Sequence, residues 1–286
     1  MATRSVDGSG VLYHYLQKDL IQSDVFFFQM LIARLVVGLG IWLSPSLYGE
    51  LPILVPYAVR DPHSRGNRKQ NLPDAWGSPN ERGYFRDDNS LVKKVPGSLR
   101  IRSRLTDVYA GRTIGNGFVA SHVWRQLEGE PLRLASRDPL TYSFVPNLVW
   151  LPNSVAALTD REGSFAQAYI QALSYKIFRD QEVRPEFRAV VEDAWSRLPV
   201  PAGIPEQGLP APHELNFFEE TSQFVERRRR MIADVAAAAR DVSAGSPLGR
   251  KVISERFTSG LPLVERAAAR ELADMLDRLA PSSGRE

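Results

Sequence analysis

A chain of 286 residues, 43% hydrophobic and 24% charged, has the composition of an ordinary globular protein with one large or two small domains. It contains no cysteine, which excludes a disulfide framework, a cysteine-built zinc ribbon, an iron–sulfur cluster and a thiol nucleophile. The net charge of +3 hides a bias, because 30 of the 36 basic residues are Arg and only 6 are Lys. Arg reads phosphate and guanine in a bidentate way, but a GC-rich genome also supplies it, so position has to carry the argument. Any metal must be held by His, Asn, Asp or Glu. The four histidines, His14, His63, His122 and His213, lie too far apart in sequence for a compact multi-histidine zinc centre.

Residues 11–43 read as two helical stretches. Val25 to Leu43 (VFFFQMLIARLVVGLGIWL) approaches the roughly 20 apolar residues that span a bilayer. Gln29 and Arg34 interrupt it, no basic flank precedes it and no small-residue cleavage signature follows. It therefore reads as a buried core helix, and the protein as cytoplasmic with no membrane partner. Ser44-Pro45-Ser46 breaks the pattern.

From Tyr48 to Arg104 the chain is rich in Pro, Gly, Asn and Asp, and reads as loops with short strands. Between Arg60 and Arg104 eleven Lys or Arg face five Asp or Glu. Arg60, Arg65, Arg68, Lys69, Trp76, Arg86, Asn89, Lys93 and Lys94 are interleaved there. Arginine, asparagine and aromatic side chains on irregular backbone suit phosphate contact and base-edge reading, and a long loop inside a compact domain is uncommon unless it binds something.

Residues 113–120 and 144–151 read as strands. Asn153 to Arg179 reads as helix broken near Gly163, and Pro185–Leu198 as a helix with proline at its first position. The run PVPAGIPEQGLPAP at 199–212 is a strap. Two long helices follow, at about 214–242 and 250–280, the first carrying Arg227-Arg228-Arg229-Arg230, which covers every face of a turn.

The chemistry concentrates in Gly117-Phe118-Val119-Ala120-Ser121-His122-Val123-Trp124 and in Phe144-Val145-Pro146-Asn147-Leu148-Val149-Trp150-Leu151-Pro152-Asn153. A strand ends in histidine, a loop follows, then a second strand introduced by asparagine, then a helix. This order resembles the ββα-metal, or HNH, finger of nucleases over residues 118–162. The resemblance implies one divalent cation, magnesium or manganese, with His122 as the general base and Asn147 as the residue that braces the loop. A neutral imidazole can take a proton from the attacking water, and a hard cation neutralises the phosphate and leaving oxygen. Ser121 stands where the family often has a metal-binding Asp, and Ala156 where it often has His or Asn. The non-specific nucleases of the same superfamily hold the ion through one Asn on the helix. By that analogy Asn153 is the first candidate ligand, with Asp160 second.

Rival chemistries lack their signatures. None of the six lysines has an acidic residue two positions before it, as PD-(D/E)xK nucleases require, and no GxxxxGK[ST], GxGxxG or GxSxG occurs. The resemblance and the residues together imply an α+β protein in which a ββα-metal finger is embedded in a mainly helical chain with a loop-rich basic segment. Residues 1–112 would recognise DNA, with Arg125 adding a contact beside the histidine. Residues 113–198 would form the nuclease core. Residues 199–286 would supply the proline strap and C-terminal helices, with a homodimer surface on the latter. The expected activity is metal-dependent cleavage of double-stranded DNA, site-specific or modification-dependent, of restriction or phage-defence type. The alternative is a nucleic-acid-binding protein whose finger has lost its metal.

Overall fold

The computed structural model describes residues 22–55, 89–104, 108–159, 162–249, 251–253, 258 and 260–279. Helix α1 (Gln22–Leu39) stops where Gly40 turns the chain, with the Gly40 N–H on the Val36 carbonyl at 2.8 Å. A Cβ at Gly40 would lie 2.6 Å from that same carbonyl oxygen, so only glycine makes the turn without a shift. The apolar run is therefore not one helix through Leu43. Its last three residues leave as strand β1 (Ile41–Leu43), buried along its whole length. Ile32 and Val36 of α1 are buried whereas Phe27 and Leu31 are exposed, and among the described residues no helix is long and apolar enough to cross a membrane.

Ser44 does more than break a pattern. Its Oγ accepts the Leu47 N–H at 3.0 Å and caps helix α2 (Pro45–Glu50), which has proline in its first turn. Leu51 to Val55 are buried. Arg60, Arg65, Arg68, Lys69, Trp76 and Arg86 lie outside the described residues. The basic segment resumes as helix α3 (Asn89–Lys94), which was not expected, and strand β2 (Arg100–Arg102), one of the short strands that were.

Strands β3 (Phe118–His122) and β6 (Leu148–Pro152) pair antiparallel from Phe118↔Pro152 to His122↔Leu148. Between them in sequence lies a small ribbon, β4 (Gln126–Leu127) with β5 (Glu130–Leu134). Strand β7 (Asn216–Glu219) completes a five-stranded sheet in the order β2-β7-β1-β6-β3. Within this sheet β1 and β7 pair parallel and the other neighbouring strands pair antiparallel. The fold is thus mixed α+β.

Strands from residues 1–112, 113–198 and 199–286 all enter this one sheet, so those sequence segments are not separately folded units. Strands of three to five residues have no stability of their own and need shared burial.

After β6 come helices α4 (Asn153–Thr159), α5 (Phe165–Phe178) and α6 (Arg188–Ser196). The break before α5 is made by Gly163 at φ 72° and by the Ser164 cap on the Gln167 N–H. The stretch read as one helix from 214 begins instead with β7. Asn216, Phe217 and Phe218 are buried, and the Asn216 amide donates to the Gly38 and Gly40 carbonyls at 3.1 and 3.0 Å. Thr221 then caps α7 (Ser222–Ala244). The last expected helix is shorter than its pattern: Pro262 lies in a 3₁₀ turn, and α8 (Arg266–Leu279) begins after it. Ile232, Val235 and Ala239 of α7 and Ala269, Leu272 and Leu276 of α8 are buried where these two helices pack together, so their apolar faces are consumed within the chain.

Candidate active site

His122 is the last residue of β3 and is half-buried. Its Nε2 lies 2.8 Å from the Tyr142 carbonyl oxygen. A carbonyl can only accept, so Nε2 carries the proton and the neutral ring keeps its lone pair on Nδ1. The tautomer is thus set by a backbone atom of the loop between β5 and β6.

That loop is held from every side. Asn147 is fully buried. Its Oδ1 accepts the Trp124 N–H at 2.8 Å and its Nδ2 donates to the Thr141 carbonyl at 2.8 Å. Its own carbonyl accepts the Val123 N–H at 3.0 Å. One side chain therefore laces the chain just past His122 to the loop that supplies the Tyr142 carbonyl. The Pro146 carbonyl accepts the Ser174 hydroxyl at 2.5 Å, the Ser143 hydroxyl bonds both the N–H and the carbonyl of Val55, and the Ser143 carbonyl accepts the Leu54 N–H. Behind the loop, Phe144 packs edge-on against Trp195 and Tyr48, with ring centroids 5.3 and 5.9 Å apart. The Trp195 indole donates to the Tyr48 hydroxyl, whose pKa burial pushes up to about 12.

The far end of the loop is organised by Asp138, also fully buried. Its Oδ1 accepts the Leu140 and Thr141 N–H groups at 3.0 and 3.2 Å, an Asx turn. Its Oδ2 takes Arg197 Nη1 at 2.7 Å, and Arg197 also pairs with Asp193 at 3.1 Å. Burial works against the Arg197 charge, but Asp138 and Asp193 more than offset it, so its pKa lies above the ordinary value. From Arg197 through Asp138 and Thr141 to Tyr142, fixed polar contacts run to the imidazole.

Sequence reasoning did not single out Asp138, Thr141, Tyr142 or Arg197. Asp138-Pro139 carried a turn signal, but nothing marked Arg197, 59 residues away.

The expected ligands do not gather at His122. Ser121 is buried, and strand alternation directs it to the face of β3 opposite His122. Asn153 is exposed and opens α4, with its N–H on the Gly117 carbonyl at 2.8 Å. Because β6 runs antiparallel to β3, Asn153 lies at the start of β3 and His122 at its end. Five residue steps separate Gly117 from His122, about 17 Å at roughly 3.4 Å each. That register removes Asn153 from any ion shared with His122. No side-chain capping bond marks Asn153 either. Ala156 is buried, Asp160 lies outside the described residues, and the Glu162 carboxylate accepts the Gln167 amide at 3.1 Å. Among the described residues no three His, Asp or Glu side chains form a group that could hold a cation.

Some basic residues do approach. Trp150 pairs with Ala120 and so shares the His122 face, and its indole donates to the Lys93 carbonyl at 3.2 Å. Helix α3, with Lys93 and the exposed Lys94, therefore lies over that face, with Asn89 at its start. Arg125 is exposed, three residues beyond His122. Comparisons with protein-family models, with curated proteins and with solved structures each give no match.

Proposed function

We propose that the chain is an endonuclease of ββα type that hydrolyses phosphodiester bonds in double-stranded DNA, with His122 as the general base. One observation carries the reading: the His122 Nε2 to Tyr142 carbonyl contact at 2.8 Å, in a loop laced to the end of β3 by buried Asn147. With Nε2–H committed to that carbonyl, Nδ1 is the atom that takes a proton from water. The same hydrogen bond strengthens as the ring becomes imidazolium, because a charged donor bonds more tightly. The water then attacks phosphorus in line as it loses its proton to His122, the opposite P–O bond breaks, and the departing sugar oxygen takes a proton from solvent. Lys93, Lys94 and Arg125 supply positive charge on this side of the sheet for the DNA backbone.

Magnesium or manganese belongs to the proposal through the resemblance of the β-β-α order to HNH fingers, but Ser121 and Asn153 do not fit as its ligands. Site-specific or modification-dependent cleavage, as in restriction or phage defence, follows from size, since a finger of some 45 residues cannot choose a sequence alone. Incubation of the full chain with methylated and unmethylated genomic DNA plus magnesium or manganese tests it. Discrete fragments from one of the two substrates are the supporting result. Intact DNA under every condition would overturn the reading.

A second reading is favoured by the placement of Ser121 and Asn153: a nucleic-acid-binding protein that keeps the braced finger as scaffold and has lost its metal. It predicts DNA binding without cleavage and no manganese uptake in a titration.

A further inference from the structure

The opposite edge of the sheet carries an unassigned cavity. Strand β2 is an edge strand, and Arg100 and Arg102 project from it on one face, both exposed, while Ile101 between them is buried. They line a cavity of about 670 Å³ together with Arg227 of α7. A second cavity, of about 190 Å³, adjoins it at Arg102 and continues to Arg104 and His213. Arg227, Arg100, Arg102 and Arg104 thus line two adjoining cavities that run from α7 to the turn before β7. Among the described residues, none of these four arginines takes part in an ion pair, whereas Arg179, Arg184, Arg197, Arg229 and Arg240 all do.

The rest of the larger cavity suits an anion. Thr221 and Gln223 place the N-terminal turn of the 23-residue α7 at its wall. The Ser222 and Gln223 N–H groups precede the first intrahelical bond there, at the positive end of the helix dipole. Ser44 and Ser46 also line it, and their hydroxyls donate to Glu220, which orients that carboxylate and leaves its charge in the wall. Glu219, opposite Arg100 in register, is the remaining acid.

We propose that this row, Arg227, Arg100, Arg102 and Arg104, grips successive phosphates of a DNA strand. Alternate residues on a strand are about 6.6 Å apart, close to the spacing of neighbouring phosphates along a nucleic-acid backbone. A single phosphate would occupy one end of the row and leave the other arginines unused. The track lies four strand spacings from β3, about 19 Å at roughly 4.8 Å each. It deepens the DNA reading and rests on it for the identity of the ligand, but it does not depend on cleavage.

The test is fluorescence anisotropy of a labelled 20-base-pair duplex with the full chain, in chelator and over a salt series, so that no hydrolysis enters. Each phosphate contact contributes about −0.9 to the slope of log affinity against log salt. Replacing Arg100, Arg102 and Arg227 by Gln should flatten that slope by about two to three. The same three changed to Lys should keep most of it, which guards against a folding defect. Glu219→Gln should tighten binding several-fold at low salt. An unchanged slope in the Gln variant, or displacement of the duplex by equimolar inorganic phosphate, would overturn the track. Lost binding in the Gln variant combined with intact DNA in the cleavage assay would keep the track and remove the nuclease. Normal cleavage with an unchanged slope would do the reverse.

Discussion

The two edges of the sheet are built on opposite plans. At the β3 edge, His122 is held by groups that are themselves buried: Asn147, Asp138 and Thr141 have no solvent exposure. At the β2 edge, Arg100, Arg102 and Arg227 are exposed around an open cavity and, among the described residues, are held by no ion pair, although the Arg102 guanidinium lies over the Phe217 ring at 5.8 Å. A base must meet its proton at hydrogen-bond distance, so the ordering entropy has to be spent during folding. A phosphate grip tolerates movement, because charge acts over several ångströms and guanidinium forks reorient. The contrast teaches that preorganisation, more than the presence of a histidine, is what the proposed general base at the β3 edge rests on.

His122→Ala should have the largest effect. Loss of a general base costs about 10² to 10⁴ in rate, while duplex affinity in chelator should stay at the wild-type value because the β2 edge is untouched. Plasmid nicking rates read alongside anisotropy check this. A variant that keeps half the wild-type rate would place the chemistry elsewhere.

Asn147→Ala comes next. It strands the buried Trp124 N–H and Thr141 carbonyl, at about 1–3 kcal/mol for each unsatisfied group. Urea unfolding should show a loss of about 2–5 kcal/mol, and cleavage should fall even where the variant is fully folded. A loss below about 1 kcal/mol would mean that the lacing is not needed.

Arg197→Ala removes the Arg197 guanidinium from the buried Asp138 carboxylate. Breaking a buried pair costs about 3–5 kcal/mol, reduced here to about 2 kcal/mol because the Arg197 side chain is 34% exposed and Asp138 keeps its backbone donors. If the chain of contacts from Arg197 to Tyr142 positions the imidazole, kcat should fall while KM stays. Arg197→Lys should restore part of it. A purely structural role would leave kcat unchanged in the folded fraction.

Asn153→Ala should do least. The residue is exposed and about 17 Å along the strand from His122 at roughly 3.4 Å per step, so stability should move by less than about 0.5 kcal/mol and cleavage should be unchanged. A melting curve and a plasmid-nicking assay check both, with a manganese titration beside them. Loss of manganese uptake in this variant would break the account of the β3 edge given above.

How much of this was legible in the chain differs element by element. Helices α5 and α6 were visible because their signals are local: the break at Gly163, and Pro185, which opens a 3₁₀ turn running into α6. Strands β1 and β7 were not, because three or four residues are too few to show a period of two, and aromatic runs beside helical patterns read as more helix. Their strand conformation comes from pairing between residues some 175 positions apart, such as Ile41 and Asn216.

The same division runs through the two sites. The amino-acid order alone determined that a strand ending in His122 precedes a second strand introduced by Asn147 and then a helix, since those are neighbours along the chain. It also determined that the region ending at Arg104 is strongly basic. Tertiary structure decided the rest. Antiparallel register carried Asn153 away from His122, and pleat alternation turned Ser121 to the other face. Packing of α6 against the loop brought Arg197 to Asp138, and docking of α7 beside the edge strand brought Arg227 to Arg100 and Arg102. Each of these is a contact between distant residues. Its energy depends on which surfaces are buried together, and a window of neighbouring residues does not contain that information.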